Sequence, residues 1–217
     1  MDSTHIRTLL STPVEVAIRA FRTDDGNSLK AQWVAYCTEV NGKRTSERAG
    51  VSQLLLELGA VSPPSPDAKR RPVVEGWAYT SISHTAGWAA VARGDRPLGI
   101  DIERPREQLI RVGQRVISAQ EALDWLTSDQ DLDGLTRLWA AKEAVYKRFG
   151  EGIGAADIQL QKVNSAEASE GATAVAIVQQ SSSTKFPSPA RRMGVAWTAL
   201  LDAEGQSAWV AVAWDLD

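Results

Sequence analysis

The stretch Leu98-Gly99-Ile100-Asp101-Ile102-Glu103 alternates apolar and acidic residues. A period of two is the mark of a half-buried β-strand. Successive side chains on a strand point to opposite faces, so Ile100 and Ile102 share one face and Asp101 and Glu103 the other. Two carboxylates side by side, with no base between them, repel each other. Solvent relieves that repulsion on an exposed strand, and a bound divalent cation with hard oxygen ligands relieves it in a cleft. A second stretch bears on the choice. Trp139-Ala140-Ala141-Lys142-Glu143-Ala144-Val145-Tyr146-Lys147 reads as a helix. On it Trp139, Glu143, Tyr146 and Lys147 form one stripe, with Lys142 at its border. One more carboxylate and two lysines can then face the acidic strand.

A chain of 217 residues is enough for one large domain or two small ones. Its net charge of −3 argues against non-specific nucleic-acid binding, so an anionic ligand has to be met by a local basic cluster. The single cysteine, Cys37, excludes an internal disulfide and a cysteine zinc site. Beside Tyr36 it reads as an inert, partly buried residue. No apolar run approaches a transmembrane span, and the first residues lack a signal-peptide stretch, so the expected location is the cytoplasm, with no membrane association. The eight tryptophans are expected mostly in the core.

Along the chain, residues 13–22 alternate and read as a strand, and Asp24-Asp25-Gly26-Asn27 is a turn. Residues 28–40 fit either a strand or a helix. Lys43 to Arg48 lead into the apolar run Val51 to Leu58, stopped by Gly59, which predicts a helix with a basic start. Residues 61–72 carry four prolines and read as a loop ending in Arg70-Arg71-Pro72. Trp77 to Ser83 and Gly87 to Arg93 read as strands of a hairpin closed by His84-Thr85-Ala86. Gly94 to Pro97 is a turn and a boundary between halves, 1–97 and 98–217. After the acidic strand come a helix over Glu107 to Val116 and a capping box at Ser118-Ala119-Gln120-Glu121. A long helix follows from Leu132 to Phe149, ending at Gly150, with a glycine loop to Gly154. Four strands close the chain: Asp157 to Val163, Ala172 to Gln179, Met193 to Leu201 and Ser207 to Asp215. A serine- and proline-rich loop over 181–192 interrupts them. Each half holds helix material followed by strands, which predicts two similar α+β halves.

Six pieces stand in a telling order. They are Lys43-Arg44-Thr45, Arg71-Pro72, Ser81-Ile82-Ser83-His84-Thr85, Leu98 to Glu103, Val116 to Glu121, and Leu138 to Lys147. This order and spacing resemble the 4′-phosphopantetheinyl transferases of the surfactin-synthetase-activating (Sfp) type, from about residue 43 to about residue 162. The specific element is a G-I-D-x-E strand followed about 40 residues later by W-x-x-K-E-A-x-x-K. Two positions depart from the usual pattern. Val116-Ile117 stands where relatives often have phenylalanine before the serine, and Lys43 where they often have histidine.

The resemblance implies a reaction: the phosphopantetheine arm of coenzyme A passes to a serine of an apo acyl or peptidyl carrier protein, releasing adenosine 3′,5′-bisphosphate. It implies an α+β fold of two similar halves in pseudo-twofold arrangement, with the active site in the cleft between them. It also implies a monomer and Mg²⁺, with Mn²⁺ as an alternative. Carried over residue by residue, Asp101, Glu103 and Glu143 hold the metal. Lys147, with Lys142 nearby, stabilises charge on the pyrophosphate and leaving group. Glu143 accepts the serine proton, directly or through water. Arg44 and Thr45 lie near the adenosine end. Arg71, Ser83 and His84 hold the adenosine phosphates, His84 at the 3′-phosphate.

Two other classes compete. A non-catalytic coenzyme A- or carrier-binding homologue would lack Asp101, Glu143 or Lys147, and this chain has all three. An unrelated Mg²⁺-dependent phosphohydrolase would account for the carboxylates but not for the tryptophan-lysine helix or the order of the basic pieces.

Overall fold

The computed structural model describes residues 14–20, 43–150, 152–163, 172–178, 190–201, 205 and 207–216. The turn at 24–27, the ambiguous segment 28–40 and residues 181–189 of the serine-rich loop lie outside the described residues.

The first sheet has three antiparallel strands in the order β1-β5-β4, formed by β1 (Val14–Ala20), β4 (Tyr79–Thr85) and β5 (Trp88–Gly94). Helix α1 (Lys43–Glu57) packs on one face of it. There Val51, Leu54 and Leu55 meet Ala17, Ala89 and Val91. The other face of the same strands contributes Val16, Ile18, Ala90 and Ala92 to a different core. This explains why β5 reads as a continuous apolar run, since both of its faces are covered. The proline-rich loop holds a two-residue ladder, β2 (Ser65–Pro66) with β3 (Pro72–Val73).

The hairpin turn differs from the sequence expectation. Strand β4 continues through His84 to Thr85, and Thr85 pairs with Trp88. The reversal falls on Ala86-Gly87 because Gly87 takes φ +79°, a conformation that costs glycine little.

The second sheet has five antiparallel strands in the order β6-β10-β9-β8-β7. These are β6 (Leu98–Glu103), β7 (Ile158–Lys162), β8 (Ala174–Val178), β9 (Arg191–Leu201) and β10 (Ser207–Asp215). Between β6 and β7 run α2 (Gln108–Val116), α3 (Ala119–Trp125), α4 (Leu132–Phe149) and a 3₁₀ turn at Ala155–Asp157. The order β1-β5-β4 recurs as β6-β10-β9: an opening strand, a helix, then a closing hairpin whose last strand returns beside the first. The fold is α+β, and the chain repeats one arrangement.

A shared core joins the two sheets. Leu98, Ile100 and Ile102 of β6 lie with Val210, Val212 and Trp214 of β10 and with the inner residues of β1 and β5. The opposite face of the second sheet carries Ala211 and Ala213, and it packs on Leu138, Ala141 and Val145 of α4. Helix α4 begins at Asp131, whose carboxylate accepts the Gly134 amide (2.9 Å), and ends at Gly150 with φ +88°. Among the described residues no helix is long and apolar enough to cross a membrane.

One buried ion pair ties the second half together. Ser118 opens α3 with a complete capping box: its hydroxyl accepts the Glu121 amide (3.2 Å), and the Glu121 carboxylate accepts the Ser118 amide (2.8 Å). That carboxylate also accepts the Leu160 amide of β7 (2.9 Å) and the Lys142 ammonium of α4 (2.8 Å). Lys142 is wholly buried and donates further to the carbonyls of Ala155 and Ile158. Burial lowers the lysine pKa, and the Glu121 charge opposes that shift. Removing the cation would strand a buried carboxylate, which typically costs about 3–5 kcal/mol. Lys142→Met is therefore expected to lose about that much stability in urea unfolding. A midpoint equal to the parent's would show that the pair holds nothing together.

Candidate active site

Helix α4 lies directly on β6. A Cβ added to Gly99 would stand 2.1 Å from the Ala144 carbonyl oxygen and 2.8 Å from the Arg148 amide nitrogen. Only glycine allows that approach. Strand alternation then turns Asp101 and Glu103, on the Gly99 face, toward the Glu143 and Lys147 stripe of α4.

The other flank of β6 is stitched to β4 by two serines. The Ser81 hydroxyl accepts the Ile100 amide (3.0 Å), and the Ser83 hydroxyl accepts the Ile102 amide (3.3 Å). Ser83 also donates to Asp101 Oδ1 (2.8 Å) and accepts from Lys147 Nζ (2.9 Å). Lys147 Nζ reaches the same Asp101 Oδ1 at 2.7 Å. Lys147 therefore pairs with Asp101 of the facing strand and not with Glu143 one turn away on its own helix. A hydroxyl has one donor and two acceptor sites, and Ser83 uses all three. In this arrangement Ser83 gives its one hydrogen to Asp101. Its role is to bind β4, β6 and α4 together.

Glu103 is held at Oε1 by the Trp139 indole nitrogen (3.2 Å) and by Arg106 (3.1 Å). Burial raises its pKa to about 7, helped by the Asp101 charge and opposed by Arg106, Trp139 and Lys147. Glu143 is also raised, first by burial and then by Asp101, against Lys147 and Arg106. Three carboxylates thus share a half-buried region that lacks enough positive charge to settle them.

The expected metal ligands can be tested against this geometry. Among the described residues no group of three His, Cys, Asp or Glu side chains converges to hold a metal ion as the side chains stand. The protein's own cations occupy the acids instead, Lys147 on Asp101 and Arg106 on Glu103. Yet Asp101 is 5% exposed and its Oδ2 is buried with no hydrogen-bond partner among the described residues. A buried carboxylate oxygen without a donor is costly unless something outside the chain completes it. The donor set is all carboxylate oxygen, the type preferred by a hard divalent cation. The donor chemistry therefore suits such an ion, although the side chains as they stand do not converge on one point.

Two cavities flank β4, and Lys147, the partner of Asp101, lines one of them. One, of about 480 Å³, is lined by Arg71 of β3's approach and by Tyr146, Lys147 and Arg148 of α4. The structure thus brings Arg71 and Lys147 to one cleft. Arg71 is fixed by Asp67, whose Oδ2 accepts its Nε (2.8 Å) and Nη2 (2.8 Å) while Oδ1 accepts the amides of Lys69 and Arg71. The Arg71 amide leads the hydrogen bonds that hold the Asp67 carboxyl below the usual aspartate range. Between them Arg70 takes φ +60°. The second cavity, of about 470 Å³, is lined by Glu47, Arg48, Arg70 and His84. His84 Nδ1 lies 3.3 Å from Glu47 Oε2. Arg70, Pro72 and Ile82 line both cavities, so the two adjoin along β4.

Lys142 is a correction. It was expected beside Lys147, but its ammonium points away from β6 into the Glu121 pair. Arg44 and Thr45 belong to the first turn of α1, but their side chains lie outside the described residues. Sequence reasoning missed Arg106 and Asp67. Nothing in the sequence marks Arg106. Asp67 carried a signal in its i,i+4 spacing to Arg71 and in the Asx-turn habit of aspartate before a tight loop.

Residues 97–199 match the model of the 4′-phosphopantetheinyl transferase superfamily. The chain is 35% identical over 78 residues to the 4′-phosphopantetheinyl transferase Sfp of Bacillus subtilis (strain 168), covering 35% of each chain. It is 31% identical over 86 residues to the 4′-phosphopantetheinyl transferase gsp of Aneurinibacillus migulanus, covering 38% of this chain and 36% of that one. It is 35% identical over 77 residues to the 4′-phosphopantetheinyl transferase psf-1 of Bacillus pumilus, covering 35% and 33%. The matched stretch thus spans about a third of the length of these curated relatives.

Because α4 rests on Gly99, Gly99→Ala is expected to push the helix off β6. Overpacking of this kind costs about 1–3 kcal/mol or more. Chemical denaturation measures the loss, and a midpoint unchanged from the parent's would mean that the close contact is not maintained in solution.

Proposed function

We propose, since residues 97–199 match the model of the 4′-phosphopantetheinyl transferase superfamily, that this protein transfers the 4′-phosphopantetheine arm of coenzyme A to a serine of an apo acyl or peptidyl carrier protein. Adenosine 3′,5′-bisphosphate leaves. The observation that carries the reading is the meeting of Lys147, Asp101 and Ser83 at the edge of a cleft that also holds Arg71.

The reaction forms one phosphorus–oxygen bond and breaks another. The carrier serine oxygen attacks the phosphorus that bears the pantetheine arm. The bond from that phosphorus to the bridging oxygen breaks, and the serine proton goes to a base. In this protein Arg71 and Lys147 face the cleft where a diphosphate would lie, and both can donate to its oxygens. Lys147 is pre-positioned by Asp101 and Ser83, so its charge needs little reorganisation as the leaving group gains charge. Glu143 has a raised pKa, and among the described residues no hydrogen bond occupies its carboxylate. A carboxylate so placed is a better base than an exposed one. Asp101, Glu103 and Glu143 would hold Mg²⁺ or Mn²⁺. Bound there, the cation supplies charge neutralisation to the diphosphate. The cavity beside His84, Arg48 and Arg70 suits the 3′-phosphate of the nucleotide.

The direct test is incubation with coenzyme A, Mg²⁺ and a panel of apo carriers, followed by intact mass. A gain of one phosphopantetheine is expected, and chelation of the metal should abolish it. Glu143→Gln and Asp101→Ala should each lose transfer by at least about a hundredfold. Glu143→Gln should keep coenzyme A affinity in calorimetry, whereas Lys147→Ala should lose both affinity and turnover. If every carrier stays unmodified while coenzyme A binds normally, the protein is a binding homologue instead.

His84 offers a second, independent check. Dephospho-coenzyme A lacks the 3′-phosphate and should bind the parent more weakly. His84→Ala should narrow the gap between the two nucleotides. A variant that separates them as sharply as the parent would remove His84 from the nucleotide site.

A further inference from the structure

The two acids of β6 are fixed in the same lopsided way. On Asp101 both Ser83 and Lys147 fall on Oδ1, and the buried Oδ2 has no partner among the described residues. On Glu103 both Trp139 and Arg106 fall on Oε1, and among the described residues no hydrogen bond reaches Oε2. Each carboxylate has one oxygen held by the protein and one left over.

The two donors on Glu103 are not equivalent. Arg106 follows β6 in a loop, its side chain is 51% exposed, and its charge competes with any cation for the same acid. A guanidinium can also take both oxygens of a carboxylate at once. Trp139 is neutral and rigid, and it sits one turn before Glu143 on α4. An indole N–H orients a carboxylate without cancelling its charge, as hydrogen-bonding partners behind metal ligands commonly do. The ring itself is half-buried, with its N–H aimed at Glu103.

We propose that Trp139 is a positioning residue for the cation site. Its indole N–H holds Glu103 Oε1 and so leaves Oε2 to act with Asp101 Oδ2 on a hard divalent ion. This rests on the reading of Asp101, Glu103 and Glu143 as the residues that hold the metal. A phenyl ring at 139 keeps an apolar ring there but frees Oε1, and Arg106 can then chelate both oxygens and shut the ion out.

The test uses the full chain and Mn²⁺ alone, with no nucleotide and no carrier, counting free Mn²⁺ by electron paramagnetic resonance. Trp139→Phe is expected to bind Mn²⁺ about 10- to 100-fold more weakly than the parent. Adding Arg106→Ala to Trp139→Phe should recover part of that loss, because the competitor is gone. Urea midpoints report whether each variant is folded, and a purely structural role for Trp139 would move those midpoints but not Mn²⁺ affinity. A folded Trp139→Phe with parental Mn²⁺ affinity overturns the proposal. Should that variant not fold, the parent is used with ¹⁵N-labelled indoles. The Trp139 N–H resonance, assigned by through-bond and through-space correlations in the parent itself, must then move when Mg²⁺ is added, and an unmoved resonance overturns the proposal. A parent that binds no Mn²⁺ ends the metal reading and this proposal together. A parent that binds Mn²⁺ but modifies no carrier ends the transferase reading alone.

Discussion

Helix α4 can sit on β6 only because residue 99 has no side chain. The Ala144 carbonyl and the Arg148 amide occupy the space that a Cβ would need. That single contact sets the distance between the acidic face of the strand and the Glu143 and Lys147 stripe of the helix. From the other flank, Ser81 and Ser83 cap the backbone amides of Ile100 and Ile102. These amides sit at a sheet edge, where an unpaired donor is costly once buried. The serines thus satisfy the edge of the second sheet with side chains of the first. The two halves are joined by hydrogen bonds at the seam and by the shared core of Ile100, Ile102, Ala90 and Val210 beneath it.

The charge arrangement follows from that geometry. Packing α4 on β6 places three carboxylates in a region of reduced solvent, which raises Glu103 and Glu143. The chain answers with Lys147 and Arg106, each bonded to one acid. It does not answer fully, since Asp101 Oδ2 keeps no donor among the described residues. A structural ion-pair network would gain by closing that gap. A site that must accept a ligand cannot close it, because the oxygen has to remain open to what enters. The same distinction separates the two lysines of α4. Lys142 is saturated by Glu121 and two carbonyls in a dry interior and acts as a tie between elements. Lys147 keeps part of its side chain exposed, at 30%, on the wall of a cleft.

How much of this the sequence disclosed depends on the range of the interaction. The strand at 98–103 was legible from strict alternation. Helix α4 was legible from its stripe together with the stop signal at Gly150, whereas its Asp131 cap emerged only in the structure. The Ser118 capping box was legible because all its partners lie within three residues. Lys142 was misplaced because it borders the stripe, and a border residue turns to whichever side offers a partner. That side was decided by Glu121 and β7, which are distant in sequence. The partners of Ser83 were hidden for a similar reason, since they come from β6 and α4. The reason for Gly99 is likewise tertiary, since nothing in its neighbours announces a helix backbone overhead.

Strand β4 shows how one short element can serve two tasks. Its alternation buries Ser81 and Ser83 at the seam with β6, while Ile82 packs toward α1 and His84 meets Glu47 of that helix. Had the turn fallen at His84 to Ala86, the histidine would have left the strand period and lost its fixed side. Because Gly87 accepts the positive φ, the strand keeps its register through Thr85. His84 is therefore held opposite Ser83, one residue on but across the strand. The seam serine touches the residues that would act on the diphosphate, and the histidine lines the neighbouring cavity with Arg48 and Arg70. The period-two geometry of the strand thus spaces the two ends of the proposed ligand site, and lengthening or shortening the hairpin by one residue would exchange their faces.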